Sequence, residues 1–570
     1  GRAGRAGVGR EASHAPAGPP GWQLVLRIAG GRAFLDYLDG RDAEGRELQW
    51  HVSFGPQRLR GRPAPASVEP RFDDTFFLEL PSAVSRTALL AHSQAVHLVL
   101  ACRGGPTAAE DPWEAGPGTL LCSHQLEWRR CLAAAGPQRL TVELQGVGRR
   151  RQLSIGVLHG DLELRPAGQP ADLVPEVGVA AQINSEEHKR EDVMRQVFER
   201  MDRWWADCHE LYKARHIRLF AQTETSLFLP VTSFITPLEA GRALDSPVHA
   251  LRWVALLGGE QHVAKVAEGN GAEPRWNTFP VLFAKGRATV EEKALLLCSL
   301  LLGFSLDAWC CLGTDAQGQP HAWAVVRARG DGSRPADVTC WDPRSGLRVQ
   351  VDDASYLTSY SSMDTLFNGR RLYVCHAAAV AQASFDLEDS RCWLPVPLDA
   401  DASEALRLYP GRRGSDFAAL RLRRWGLPLD TEVLEEAIEQ RLQGVVRSHR
   451  EAAGLSTRFN DHLSQLMHVA LANCEFERAL GVPQVADFEA MAQRVFNQNE
   501  VLQAVPAQFN HLRISLYWPA LNERPTVRAL LALPPAASAF AVRSRVVPYP
   551  EGAVAVWVLL AAVGPAAGRS

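Results

Sequence analysis

The side chains that could do chemistry lie between Lys285 and Gly346. His321 and Asp342 are the residue types that activate a nucleophile, because a histidine takes up the proton and a carboxylate orients the imidazole. The third member would be a cysteine at a helix start, where the helix dipole and the free N–H groups lower the pKa of a thiol. The letters ALLLCSLLLGF from Ala294 onward predict such a buried helix, and no cysteine stands at its start.

The elements that must position these side chains are one helix and three strands. One strand ends at Ala308–Gly313, a second begins at His321 and a third carries Trp341–Asp342. This order resembles papain-like and transglutaminase-like cores. Active transglutaminase-like domains open the helix with Gly-x-Cys-x-x-x-Ala-x-Leu-Leu, and matching Ala294–Leu297 to its end puts Val290 at the cysteine position. The resemblance therefore implies a degenerate triad of Val290, His321 and Asp342, with no catalytic residue expected.

Another thiol could replace the missing nucleophile only by reaching His321. Cys298 lies about 12 Å beyond the vacant position at 1.5 Å of helix rise per residue, inside an apolar run. Cys310 and Cys311 are on the next strand, away from a helix start, and Cys340 is near an acid that would raise its pKa. We expect buried, unreactive thiols. An active thiol hydrolase or acyltransferase is the alternative, and it needs a sulfur about 3 Å from the imidazole.

The composition is that of an ordinary globular protein with several domains. The 570 residues are 46% hydrophobic and 22% charged, with a net charge of −3. Such a charge gives no general attraction for nucleic acid or an anionic membrane. No Cys-x-x-Cys pair occurs among the eleven cysteines, and we expect neither a metal nor a cofactor. No apolar run reaches the roughly 18 residues of a transmembrane helix.

The first part of the chain predicts a disordered leader over residues 1–20 and a β-sandwich over residues 21–168. The segments GWQLVLRIAGG, ELQWHVSFG and PRFDDTFFLEL resemble strands of a C2 domain. Calcium-binding C2 domains carry acidic residues in two loops. The first loop here offers Asp36, Asp39 and Asp42, but Cys102–Gly105 stands where the second group would be. We therefore expect no calcium site.

A lipid-binding face is not evident in the sandwich. Arg58, Arg60 and Arg62 alternate along one segment, and we interpret them as a small exposed stripe. Direct lipid binding is therefore not expected, and a protein-binding sandwich is favoured. A peripheral membrane adaptor remains an alternative function.

A helical linker is predicted over residues 169–225. Its apolar face should dock onto the next domain and consists of Val193, Val197, Met201, Trp204 and Trp205. A transglutaminase-like domain follows over residues 226–395, and Asp245 or Ser246 should cap its first helix. Trp323 and Trp341 could line a vestigial groove there that accepts an extended peptide.

The remaining residues, 396–570, predict a mixed α/β domain. One helix should begin after Asp430, and a second should be capped by Ser456 or Thr457. The chain should end in a hairpin that turns at Pro548–Gly552. Its strands are apolar on both faces, which predicts a position inside a mixed sheet.

The wording of the chain resembles one family throughout. The segments that carry the resemblance are FERMDRWWADCHELYKARHIRLFAQTE, PLEAGRALDSP, LLCSLLLGFSLDAW, LTVELQGVG and VVPYPEGAVAVWV. They resemble the family of centrosomal protein of 76 kDa from about Gly21 to about Gly564. The family's Lys-Gly-Asp-Cys-Glu-Asp-His-Ala turn corresponds to Lys285–Ala294 here, so its cysteine falls on Val290 and its histidine on Lys293.

That resemblance implies a multidomain α+β protein. A C2-like β-sandwich, a papain- or transglutaminase-like α+β core and a family-specific mixed α/β domain would follow one another. It also implies a cytoplasmic protein of the cytoskeleton, at centrosomes and centrioles. There the protein would be a non-catalytic scaffold that binds centrosomal and centriolar proteins and limits centriole reduplication.

Overall fold

A computed structural model describes most of the chain. The described residues are 21–34, 46–80, 85–104, 118–148, 152–212, 215, 217–259, 275–328, 337–377, 380, 383–408, 422–423, 429–481, 500–534 and 538–565. The predicted leader and the acidic loop with Asp36, Asp39 and Asp42 lie outside them.

The first strands form two facing antiparallel sheets, as their alternating pattern predicts. One sheet has the order β5-β1-β9-β8, and the other has the order β3-β2-β6-β7 with β4 beside β2. The apolar side chains between the sheets form a buried core of their own. The elements are β1 (Gln23–Arg32), β2 (Arg46–Phe54), β3 (Gln57–Arg60), β4 (Ala64–Pro65), β5 (Arg71–Glu79), α1 (Arg86–Leu89), β6 (Val96–Gly104), β7 (Thr119–Leu126), β8 (Gln138–Gln145) and β9 (Ser154–Arg165).

One long helix, α2 (Glu176–Cys208), connects the sandwich to the rest of the protein. Near its start Val179 belongs to the sandwich core. Val197 and Met201 are buried in a second cluster, which also contains Leu296 and Leu312 and is called the central core. Trp204 and Trp205 pack against the same central core. The predicted docking of this apolar face is confirmed.

The middle of the chain is built around a sheet of seven antiparallel strands. Its order is β17-β16-β15-β14-β18-β19-β20. Ser246 caps the helix α3, and its side chain accepts a hydrogen bond from His249 N. The elements are β10 (Phe220–Gln222), β11 (Phe228–Pro230), α3 (Pro247–Leu256), β12 (Gly258–Gly259), α4 (Phe279–Lys285), β13 (Arg287–Ala288), α5 (Val290–Gly303), β14 (Asp307–Asp315), β15 (Pro320–Arg327), β16 (Val338–Asp342), β17 (Leu347–Gln350), α6 (Ala354–Ser359), β18 (Tyr360–Phe367), β19 (Leu372–Cys375), β20 (Trp393–Pro395) and α7 (Ala400–Ala405).

Helix α5 is the centre of this region. It is apolar on nearly every side, and such a helix is stable only when it is enclosed. It packs on β14 and β15, and almost all of its residues are buried. Its last residue is Gly303, where a Cβ atom would come within 1.8 Å of the Leu238 carbonyl oxygen. Glycine is therefore required where the two backbones meet.

The last region is a three-stranded sheet covered by helices. The sheet order is β21-β23-β22, and both pairings are antiparallel, so the predicted mixed sheet is wrong. The central strand is apolar on both faces because one face meets its own core and the other meets the central core. The elements are α8 (Thr431–Ala452), α9 (Asp461–Leu480), β21 (Glu500–Phe509), α10 (Tyr517–Asn522), α11 (Pro525–Leu531), β22 (Ala539–Pro548) and β23 (Val554–Pro565).

The helix starts in this region match the sequence in one case and differ in the other. Helix α8 begins directly after Asp430 as predicted, and the Asp430 carboxylate caps it by accepting from Val433 N at 3.2 Å. Helix α9 is capped by Asn460 and not by Ser456 or Thr457. The segment before Asn460 is extended because it pairs with the backbone of Phe540.

The predicted exposed arginine stripe is also wrong. Arg58 is 2% exposed, its guanidinium pairs with Glu551 in the turn between β22 and β23, and it lies 4.4 Å from the Phe283 ring. Only Arg62 projects into solvent, with a side chain that is 80% exposed. Arg58 thus points toward α4 and the final hairpin, and Arg60 is half-buried. The predicted domain boundaries stay predictions, because the central core extends across them.

Candidate functional site

The start of α5, where a nucleophile is expected, is occupied by a capping box. Thr289 Oγ1 accepts from Glu292 N at 3.3 Å, and the Glu292 carboxylate accepts from Thr289 N at 2.8 Å. The other Glu292 oxygen accepts from Asn277 N at 2.7 Å and from its side-chain amide at 2.6 Å. Glu292 is thus fully used in structural contacts. The Thr-x-x-Glu spacing could have revealed this box in the sequence.

Val290 is the first residue of α5. Its side chain is half-buried and packs against the central core. An isopropyl group has no lone pair with which to attack a carbonyl. The helix start therefore offers no nucleophilic atom at this position.

His321 and Asp342 are brought together by neighbouring strands. His321 Nε2 lies 3.3 Å from Asp342 Oδ1, and the same oxygen accepts from Arg344 N at 2.8 Å. Burial alone would raise the pKa of Asp342, but the hydrogen bonds from His321 and Arg344 N outweigh it and hold that pKa below its ordinary value. The imidazole lies almost parallel to the rings of Trp323 and Tyr360, at 5.9 and 6.1 Å. His321 is therefore held by the two neighbouring rings and by its contact with Asp342.

Val290 and the strand neighbours of this pair pack in different cores. Alternation along β15 puts His321 on the same sheet face as Trp323, which belongs to the core on the side away from α5. Val290 packs on the helix side. Lys293, one turn into α5, interacts electrostatically with Asp342, and burial lowers its pKa to about 8. A lysine ammonium thus lies within electrostatic reach of Asp342, at the position to which the resemblance assigns the family's histidine.

No cysteine side chain is well exposed. All eleven cysteines lie among the described residues and none forms a disulfide; Cys208 and Cys474 are half-buried, and the other nine are buried. Burial raises the pKa of Cys340 to about 12 and that of Cys375 to about 11. It also raises the pKa values of Cys298, Cys310 and Cys311. Among the described residues, no sulfur is hydrogen-bonded to His321.

The predicted peptide groove is wrong. Trp323 is 0% exposed and Trp341 is 6% exposed. They belong to cores on opposite faces of the sheet, so they do not line one groove. The strand pattern of alternating apolar residues on both faces had already made burial of both rings the simpler outcome.

In the described part of the chain, no three His, Cys, Asp or Glu side chains are grouped so that they could hold a metal ion. None of the helices in these residues combines the length and the apolar character needed to span a membrane.

The sequence did not reveal the buried polar contacts between regions. Glu224 accepts from Ser123 Oγ of the sandwich at 2.9 Å and from Thr278 N at 2.9 Å. Arg252 of α3 donates to both oxygens of Glu475 of α9, at 2.9 and 2.6 Å. No local pattern connects residues so distant in the chain. These contacts make the regions one continuous body with buried polar joints.

Comparisons with known proteins match nearly the whole chain. Three family models match, namely the CEP76 C2 domain over residues 19–169, the CEP76 peptidase-like domain over residues 274–396, and the centrosomal protein of 76 kDa C-terminal domain over residues 427–565. Centrosomal protein of 76 kDa of Homo sapiens is 32% identical over 94% of this chain and 83% of its own length. The Danio rerio protein of the same name is 31% identical over 95% of this chain and 82% of its own length. These matches confirm the predicted fold class and the resemblance.

Proposed function

The chain belongs to the family of centrosomal protein of 76 kDa, and we propose that it is a protein-binding scaffold without catalytic activity. Family membership assigns the chain to the centrosome. The finer role that we propose is to limit centriole reduplication by binding centriolar and centrosomal proteins. The chain would do so with its surfaces and not with a reaction centre.

The observation that carries this proposal is the start of α5. A thiol hydrolase needs a thiolate there within hydrogen-bond distance of the histidine. Val290 fills that position and packs against the central core. Burial raises the pKa values of Cys310, Cys311 and Cys340, which lie on this sheet. The pair of His321 and Asp342 is then a structural contact between neighbouring strands.

The membrane-adaptor alternative has less support than the scaffold. A lipid-binding face needs exposed cationic side chains. Arg58 is instead buried against Glu551, and Arg103 donates to the carbonyl oxygen of Ala284 at 3.2 Å. Arg58 and Arg103 of this sheet thus form contacts inside the protein and are not offered to a membrane surface.

Quantitative alkylation of the full chain tests the proposal. Iodoacetamide is added to the native protein at pH 7, and each cysteine is followed by mass spectrometry. We expect slow labelling of Cys208 and Cys474, no labelling of the buried thiols until the protein is denatured, and identical rates in His321→Gln. A cysteine that reacts faster than free cysteine, and slows at least tenfold in His321→Gln, would show an activated nucleophile and overturn the proposal.

A further inference from the structure

A surface recess opens between the edge strands of the two sandwich sheets. Strand β5 ends one sheet and β3 ends the other. The recess has a volume of about 450 Å³ and is lined by Leu59, Arg60 and Arg62 on one side and by residues 74–77 on the other. Pockets that hold ligands have volumes of about 300–1,000 Å³. The recess is thus large enough for a few residues of a peptide.

The outer edge of β5 is open in the recess and closed at both ends. Leu80 N donates to Trp22 O, so even-numbered residues of this strand face β1 and odd-numbered ones face outward. At one end, Gln57 Oε1 accepts from Glu79 N at 2.8 Å, and Gln57 Nε2 donates to Glu79 O at 2.6 Å.

At the other end of the opening, Arg62 Nη2 donates to Asp73 O at 3.3 Å. Between these ends, the backbone N–H and C=O groups of Thr75 and Phe77 point outward. Among the described residues, no side chain forms hydrogen bonds with them as Gln57 does with Glu79. An open strand edge of this kind is a template for another strand.

The floor of the recess contains an acid that lacks a partner on one oxygen. Asp74 is 5% exposed, and its Oδ1 accepts from Arg62 N at 3.1 Å. Its Oδ2 has no hydrogen-bond donor among the described residues. A buried polar atom left unpaired is costly, and a ligand that supplies a donor removes that cost. Phe77 adds an apolar surface beside it, since its side chain is 49% exposed.

From these features we infer that the recess binds an extended segment of a partner protein, which pairs with Thr75 and Phe77 and presents a neutral hydrogen-bond donor to Asp74. Serine, threonine, asparagine or glutamine fits that position. Arg60 and Arg62 on the rim would repel a cationic side chain, whereas Asp74 would repel an anionic one. An apolar side chain of the segment lies on Phe77.

A second copy of the chain fits this recess less well. Two edge strands that pair with each other need an open edge of several residues, whereas Gln57 and Arg62 leave only Thr75 and Phe77 accessible. A short segment needs no more than that. The inference deepens the proposed scaffold function and rests on it. Its test measures binding alone, so it can fail while the absence of catalysis stands.

The test uses a phage-displayed library of random ten-residue peptides selected on the full chain. A selected peptide is then synthesised, and its affinity is measured by fluorescence polarisation against wild type, Thr75→Pro and Thr75→Ala. Proline removes the outward N–H without touching the ladder to β1, whereas alanine keeps it. We expect affinity to fall at least tenfold in Thr75→Pro and less than threefold in Thr75→Ala. Asp74→Ala should weaken binding as Thr75→Pro does.

Hydrogen exchange keeps the test decisive if Thr75→Pro fails to fold. Peptide binding to wild type should slow exchange in residues 71–79 and leave residues 138–145 of β8, at the opposite edge of the same sheet, unchanged. Failure to select any peptide that protects residues 71–79 would overturn the inference. So would concentration-dependent self-association that Thr75→Pro abolishes, because a second copy would then be the occupant.

Discussion

Removal of the Glu475 side chain should loosen the joint between α3 and the C-terminal helices. Glu475 is 6% exposed and accepts two of the three hydrogen bonds of Arg252, at 2.9 and 2.6 Å, while Gln508 accepts the third. It also accepts from the Tyr549 hydroxyl and, at 2.5 Å, from the Trp557 indole. In Glu475→Ala the guanidinium stays buried without its carboxylate, and breaking a buried pair in this way costs about 3–5 kcal/mol.

That cost predicts how often the joint opens. Because about 1.4 kcal/mol corresponds to a factor of ten, opening should become roughly 100- to 3,000-fold more frequent. Hydrogen exchange of the full chain measures this directly in peptides from α9 and β23. Arg478→Ala is the matched control, since Arg478 is an exposed charge on the same helix and its loss should change exchange by less than about threefold.

The double variant Arg252→Ala/Glu475→Ala separates the unpaired charge from the loss of packing. It should exchange more slowly than Glu475→Ala, because no charge is left buried without a partner. An increase of less than tenfold in Glu475→Ala would refute the reasoning. A double variant that exchanges faster than Glu475→Ala would refute it as well.

Three other predictions concern buried charges. Burial lowers the pKa of His97 to about 4. As pH falls below about 6.5 the unfolded chain therefore takes up a proton before the folded chain does, and the free energy of unfolding should drop by about 2 kcal/mol between pH 7 and pH 5. The drop should appear as a lower urea midpoint in wild type and be absent in His97→Gln. Arg58→Ala removes the guanidinium that pairs with the buried Glu551, and it should lower the free energy of unfolding by about 3 kcal/mol or more. Arg62 is exposed, so Arg62→Ala should shift the thermal midpoint by less than a degree or two. The pKa of Asp342 is lower in the folded state than its ordinary value of 3.8, so the stability difference between wild type and Asp342→Asn should be constant from pH 7 to about pH 5 and shrink as pH falls below about 4 in urea titrations.

Local patterns in the sequence predict the elements around the degenerate site. The apolar run after Ala294 could only be an enclosed helix, and β15 and β16 carry His321 and Asp342 at adjacent strand ends. That is enough to bring the histidine and the acid together. Strand alternation also predicts that His321 and Trp323 share one face of the sheet. Whether Val290 packs on that face can be stated only once the side on which α5 lies is known.

Contacts between distant segments could not be predicted in the same way. Arg58 and Glu551 are 493 residues apart, and Arg252 and Glu475 are 223 apart. An alternating arginine predicts which face of a strand it occupies, but not whether solvent or another region covers that face. The alternation therefore predicts an exposed Arg58, which is an interior contact in the structure. The groove predicted at Trp323 and Trp341 fails because both faces of this sheet are covered.

Centriole number in cells that depend on a His321→Gln variant tests the absence of catalysis most directly. The endogenous protein is depleted, and wild type, His321→Gln or Thr75→Pro is expressed at equal levels through one round of S-phase arrest. A non-catalytic scaffold predicts that His321→Gln restores the normal centriole count as fully as wild type. If His321→Gln is folded and located at the centrosome but fails to restrain reduplication, the imidazole has a chemical task and the scaffold account is contradicted.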